Sequence, residues 1–298
     1  MDEVNLALFF ESWDLFADAV LSGTMMGALL GMTGVYVVLR RMVFLSAALS
    51  QTAGLGVTLA FYGQIHLGLS GAWASPALGA TATALLTVML LMLDRSSNAS
   101  RRDSLLGLAF LIGSAGTLVV ATKIVQELQD IQTLLFGTAV AVLPEDFTLV
   151  WQVSLAVGAL HLLCWRGFYE VSFDPDGARV RGLPVGPLEI LLLATIALSI
   201  SVCTRVLGAL PAFAFSVLPA LAAIRMTPNP ARAMVLAAVL GGIFGFSGYV
   251  LAFIRDWPVG ASGALVGIGT LLMVMTCRGL WRSGRRWWRR KASRSALS

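Results

Sequence analysis

Apolar residues in this chain run in long unbroken stretches instead of alternating with polar ones. Ala17 to Leu39, Ala74 to Leu93 and Gly260 to Thr276 reach or approach the roughly 20 residues that a helix rising about 1.5 Å per residue needs to cross about 30 Å of hydrocarbon. A closed barrel would alternate apolar and polar positions, so helices are the spanning solution that satisfies the backbone. The pattern predicts an all-α polytopic membrane protein with about nine spans. They fall at roughly 17–39, 43–62, 74–93, 104–124, 147–165, 186–204, 207–224, 232–253 and 260–277.

Two regions depart from a plain helix pattern. Gln126 to Asp146 mixes polar residues with Leu134, Leu135, Phe136 and Gly137, and Pro144 argues against one continuous helix there. A short helix dipping into the outer leaflet is expected. The sixth and seventh spans are separated only by Arg205 to Gly208, and the seventh contains Pro211 and Pro219. Prolines that free carbonyls at membrane depth are tolerated where the helix is buried in protein or lines a cavity. The seventh span is therefore either a wall of a pathway or a kinked helix in the packing.

Composition agrees with a lipid-solvated chain. Of 298 residues 57% are apolar and 12% charged, about half the charge of a soluble domain. With the N-terminus outside, 18 of the 21 basic residues fall in inner segments, leaving Lys123, Arg205 and Arg255 outside. That asymmetry follows the positive-inside rule and places the C-terminus inside. Residues 1–16 then form an extracytoplasmic segment, 17–277 one transmembrane domain, and 278–298 a basic, Trp-rich cytoplasmic tail. The stretch Met1 to Asp18 has five acids and no Lys or Arg, unlike the basic start of a secretory signal, and reads as mature sequence.

Small residues recur at four-residue spacing: Gly23, Gly27 and Gly31; Gly241, Gly245 and nearby Gly248; Gly263 and Gly267. Such rows let helices approach closely in a compact bundle. Cys164, Cys203 and Cys277 are scattered with no CxxC pair, against a disulfide framework or iron-sulfur site.

In the inner loop 166–185, Asp174 and Pro175 form a helix start, with Asp suited to the N-cap and Pro to the first position. Gly182 suits the stop, so one helix of about seven residues is expected. It reads either as a docking element for a cytoplasmic partner or as an interfacial helix. In the tail, Trp281, Trp287 and Trp288 stand among eight basic residues and no acid, which fits anchoring to anionic membrane lipids better than nucleic-acid binding. The chain contains no Gly-Lys pair, hence no P-loop to cradle a nucleotide.

Four stretches carry a family resemblance. Leu39-Arg40-Arg41-Met42-Val43-Phe44-Leu45 with Ala48-Leu49-Ser50 is similar to the signature LRRMxFLGDALSH of the metal-type ABC transporter permeases, which import manganese, zinc or iron. Asp130 with Leu134-Leu135-Phe136-Gly137 resembles that family's DxYLFG. Phe173-Asp174-Pro175 through Ala178, then Gly182-Leu183-Pro184, resembles FDPELARxxGLP, and Val217-Leu218-Pro219-Ala220 with Ala222 and Ala223 resembles LLVIPAATA. In register, they cover roughly residues 15 to 275.

The resemblance implies a permease of the family's importer fold in a bacterial cytoplasmic membrane, paired with a second permease copy or paralogue. It implies a cytoplasmic ABC ATPase that uses the ATP, an extracytoplasmic substrate-binding protein, and no cofactor on this chain. It also implies coupling to the ATPase through Phe173, Asp174, Pro175, Ala178 and Gly182, and a pathway along Ala47, Ser50, Gln51, Pro211 and Pro219.

The chain departs from the family's Asp and His, one turn apart in the second span, which suit a divalent metal. Ala47 and Gln51 stand there, so either the ligands are elsewhere, a non-identical sister permease supplies them, or the cargo is not a bare metal ion. Replacement ligands are few. His161 and Cys164 can share a face of the fifth span, and Asp130, Glu145 and Asp146 offer an acidic entrance or a salt bridge to a docked partner. His66, beside Gln64, reads as solvated or touching a binding protein, and Met25 with Met26 as a soft surface or plain packing. An intramembrane enzyme would need a catalytic cluster within the spans, which hold almost no acids and one histidine.

Overall fold

The computed structural model describes residues 6–11, 13–93, 99–124 and 142–295. Within them the chain forms α1 (Leu6–Glu11), α2 (Trp13–Leu39), α3 (Val43–His66), α4 (Pro76–Leu93), α5 (Ala99–Ala121), α6 (Pro144–Leu163), α7 (Trp165–Phe173), α8 (Pro175–Val180), α9 (Val185–Leu207), α10 (Ala209–Met226), α11 (Pro230–Arg255) and α12 (Val259–Ser295). Among the described residues nine helices, α2 to α6 and α9 to α12, are long and apolar enough to cross a membrane. The chain is a multi-pass membrane protein, and each predicted span has its helix.

Prolines set several starts. Pro76, Pro144 and Pro230 each open a helix, where the missing N–H costs no hydrogen bond. Pro144 thus begins α6 three residues before the predicted span. Of the expected outer-leaflet helix, residues 125–141 lie outside the described residues.

The junction of the sixth and seventh spans is tighter than expected. The connection expected at Arg205 to Gly208 shrinks to Gly208, because α9 continues through Leu207 and α10 begins at Ala209. Gly208 has φ 102°, a conformation open to a residue without Cβ. In the seventh span α10 runs continuously through Pro219, which lies inside it. Pro211 sits in the first turn, whose donors have no intrahelical partner anyway. The helix after the last span likewise does not stop at residue 277, since backbone helix persists to Ser295 through most of the predicted tail.

Lipid offers helices little hydrophobic reason to associate, so close packing must hold the bundle. The glycine rows supply it between α2 and α11. A Cβ on Gly27 would collide with the Gly241 carbonyl oxygen, and one on Gly241 with the Gly27 carbonyl oxygen. The innermost helices are α9, α3 and α10, mostly buried along their spans, while α4, α5, α6 and α12 turn most of theirs outward. Ahead of α2, α1 packs Phe9 edge-on against Phe253 of α11, with ring centroids 5.3 Å apart.

Candidate functional site

The predicted pathway residues lie on two of the innermost helices. On α3, Ala47 and Ser50 are buried and Gln51 partly exposed, and the Ser50 hydroxyl donates to the Ala47 carbonyl at 3.0 Å. On α10, Pro211 and Pro219 are buried. The residues that bring these helices together are ones the sequence did not single out. Ser46 of α3 shares a hydrogen bond with Ser216 of α10, Oγ to Oγ 2.8 Å, and both are buried. A Cβ on Gly34 of α2 would strike the Ser216 carbonyl oxygen, so three helices converge at this point. Ser216, the lone polar side chain between Pro211 and Pro219, was the available signal.

The polar side chains in this region are neutral. Thr52 accepts through its carbonyl from the Thr83 hydroxyl of α4 at 2.8 Å, and Thr81 Oγ1 lies 3.2 Å from Ser201 Oγ of α9. Among the described residues no three His, Cys, Asp or Glu side chains gather closely enough to hold a metal ion. A dication here would meet hydroxyl and amide oxygens without charge compensation, which is costly at membrane depth.

His161 is buried in α6, and its Nε2 lies 2.9 Å from Thr195 Oγ1 of α9. The Thr195 hydroxyl donates to the Leu192 carbonyl at 2.8 Å, so the imidazole is the donor to Thr195 and carries its proton on Nε2. Its Nδ1 has no hydrogen-bond partner. The ring packs between Phe168 of α7 and Tyr36 of α2, at centroid distances of 4.9 and 5.5 Å. Cys164 is the single residue between α6 and α7, where the helix direction breaks. Asp130 lies outside the described residues.

Of the candidates predicted for the outer side, Asp146, His66 and Gln64 have partners within the chain. Asp146, proposed for an entrance or a docked partner, pairs with Arg205 at 2.7 Å, joining the start of α6 to the end of α9. Glu145 beside it is exposed. His66 stacks on Tyr62, with centroids 4.5 Å apart, and the Gln64 amide donates to the Ala74 carbonyl at 3.0 Å. Met26 is buried and receives the Ser154 hydroxyl at its sulfur, which makes it packing.

The inner loop holds two helices where one was expected, because Trp165 to Phe173 is itself amphipathic and buries Phe168 and Val171. The predicted short helix is α8. Its N-cap is Asp174, whose side chain accepts from the Gly177 N–H at 2.9 Å, with Pro175 at the first position. Gly182, at φ 80°, ends the turn, and the Leu183 N–H returns to the Ala178 carbonyl at 3.0 Å. Ala178 is buried in a small cluster with Val171 and Val185, which fixes α8 against the bundle. Phe173 is half exposed and Val180 is 90% exposed. The five residues therefore divide: Asp174, Pro175 and Gly182 shape α8, Ala178 anchors it, and Phe173, the last residue of α7, projects just ahead of it. Val180 joins Phe173 on the exposed surface and had no distinguishing sequence signal.

A turn next to this loop carries Arg40 and Arg41. Arg41 has φ 57°, and the Met42 N–H reaches back to the Val37 carbonyl at 2.9 Å. Arg40 forms an ion pair with Glu189 of α9.

Comparison with known proteins places these features in a family. The profile of the ABC 3 transport family matches residues 12–278. The manganese transport system membrane protein MntC of Halalkalibacterium halodurans is 26% identical over 265 residues, covering 88% of each chain. The zinc transport system membrane protein TroC of Treponema pallidum is 27% identical over 250 residues, covering 80% of this chain and 82% of its own. PsaBC from Streptococcus pneumoniae, solved in complex with Fab, shares the fold with a TM-score of 0.79 at 21% identity, over 91% of this chain and 95% of that one. Motifs, fold and profile agree, and the chain belongs to the ABC 3 transport family, the metal-type ABC transporter permeases.

Proposed function

We propose that this chain is the transmembrane permease subunit of an ATP-driven importer for divalent metal ions such as zinc or manganese. A separate cytoplasmic ABC ATPase hydrolyses the ATP, an extracytoplasmic binding protein delivers the ion, and a second permease copy or paralogue completes the channel. The chain lies in the bacterial cytoplasmic membrane with its N-terminus outside and its C-terminus inside, the orientation favoured by its arginines. The reading rests chiefly on α8, a helix capped at both ends and anchored by Ala178, whose Val180 projects outward as does Phe173 at the end of α7. That exposed apolar face suits a cleft on a cytoplasmic ATPase, and movement of α8 would bias the bundle between two states.

The test is reconstitution with the ATPase and binding protein in proteoliposomes. Metal uptake that needs ATP and all components supports the reading, and uptake by this chain alone overturns it. Ala47 and Gln51 favour a second reading: a supporting permease beside a non-identical sister that supplies the metal ligands, or the same fold with a non-metal cargo. Uptake measured with and without the sister permease separates the two.

A further inference from the structure

A cavity of about 370 Å³ lies on the lipid-facing periphery of the bundle, near the basic ends of α2, α6 and α11. Met32 and Tyr36 of α2 form its floor, Leu162 and Trp165 one wall, and Val235 and Val239 of α11 the other. Leu162, Val235 and Val239 are more than half exposed, so the groove opens sideways, and no residue of α3 or α10, which carry the predicted pathway, lines it. Its shape follows from packing. Gly27 and Gly241 draw α11 onto α2, while Met26 with Ser154 and Tyr36 with His161 draw α6 onto another side of α2. The small side chains of Ala231 and Ala238 leave the space between the two walls open.

We infer that this groove binds one acyl chain of an anionic phospholipid, whose headgroup is recognised by Arg166 and Arg232. The lining is almost wholly apolar and open to the surrounding bilayer. A trough of this kind, apolar along its length and open to lipid at the side, is a surface against which an acyl chain packs. Trp165 lines the mouth, and the Arg166 guanidinium carbon lies 5.7 Å from its ring centroid. An indole with a cation beside it is a headgroup-level arrangement. On the other wall, Arg232 is exposed in the first turn of α11, three and seven residues before Val235 and Val239 and so on the same face of that helix. An exposed cation beside the lining residue of each wall matches an anionic lipid headgroup, each contributing about fivefold in affinity.

The inference goes beyond the transport reading and does not depend on it. The permease, released from nanodiscs of equal phosphatidylglycerol and phosphatidylcholine, is examined by native mass spectrometry for retained lipid. Wild type is expected to retain phosphatidylglycerol preferentially, and Arg166→Gln and Arg232→Gln each to lower that preference about fivefold. Ala238→Trp, which fills the trough, is expected to abolish retention of either lipid. Leu111→Trp, on the outward face of α5, serves as the control and is expected to change nothing. Equal retention of both lipids, or full retention by a folded Ala238→Trp variant, overturns the proposal. So does oxidative cross-linking of Val235→Cys between two copies, which would assign the groove to a second chain. A variant that elutes as aggregate is replaced by Val239→Trp, to which the same criteria apply.

Discussion

Arg40, one residue beyond the end of α2, is paired with Glu189 in the second turn of α9, and both side chains are largely shielded from solvent. The pair ties the turn between α2 and α3 to the helix that the inner loop enters. Breaking a fully buried pair costs about 3–5 kcal/mol. Since these side chains keep some exposure, Arg40→Ala or Glu189→Gln is expected to lose about 2 kcal/mol. The double variant Arg40→Met with Glu189→Met should recover most of that loss, as read from thermal unfolding in detergent. Equal melting of all three variants would show that the pair is not a structural tie.

The contact of α2 with α11 depends on backbones touching at Gly27 and Gly241. Gly27→Ala or Gly241→Ala forces the helices apart and is expected to cost about 1–3 kcal/mol. Gly107, whose Cβ would meet nothing, is the comparison. Alanine there is expected to be neutral or to stabilise by up to about 1 kcal/mol.

At the convergence of α2, α3 and α10, Ser46 and Ser216 satisfy each other. Either serine changed alone to alanine leaves a buried hydroxyl unpaired, at a cost of about 1–3 kcal/mol. Ser46→Ala with Ser216→Ala removes both and is expected to be closer to wild type than either single variant. A double-mutant cycle on melting measures that coupling.

The spans were legible because every helix that crosses lipid must be a long apolar run, and arginines mark the ends of several. Asp174, Pro175 and Gly182 were legible because cap chemistry is local and type-specific. Ser46 and Ser216 were not, since their significance lies in an encounter 170 residues apart in sequence. The second inner-loop helix was also missed: residues 165–173 bury only Phe168 and Val171, too short a pattern to stand out beside the preceding span. Pro219 was legible as a proline at membrane depth, and it sits inside α10 because neighbouring helices enclose it.

Ala47 and Gln51 replace the one-turn Asp and His of the resembled motif. Ala47→Asp with Gln51→His is therefore expected to create a divalent-ion site. Zinc or manganese at about 100 times its dissociation constant should stabilise the double variant by about 2.7 kcal/mol, seen as a rise in melting temperature. Wild type is expected to show a smaller rise. An equal rise in wild type would locate its ligands elsewhere in the chain.

Coupling through α8 is tested most directly by Val180→Glu, which places a charge on the exposed face of that helix without touching its caps or its anchor at Ala178. In proteoliposomes with the separate ATPase, the variant is expected to melt like wild type while ATP-driven uptake falls at least tenfold. Uptake at the wild-type rate, or uptake by either form without any ATPase, would contradict the account.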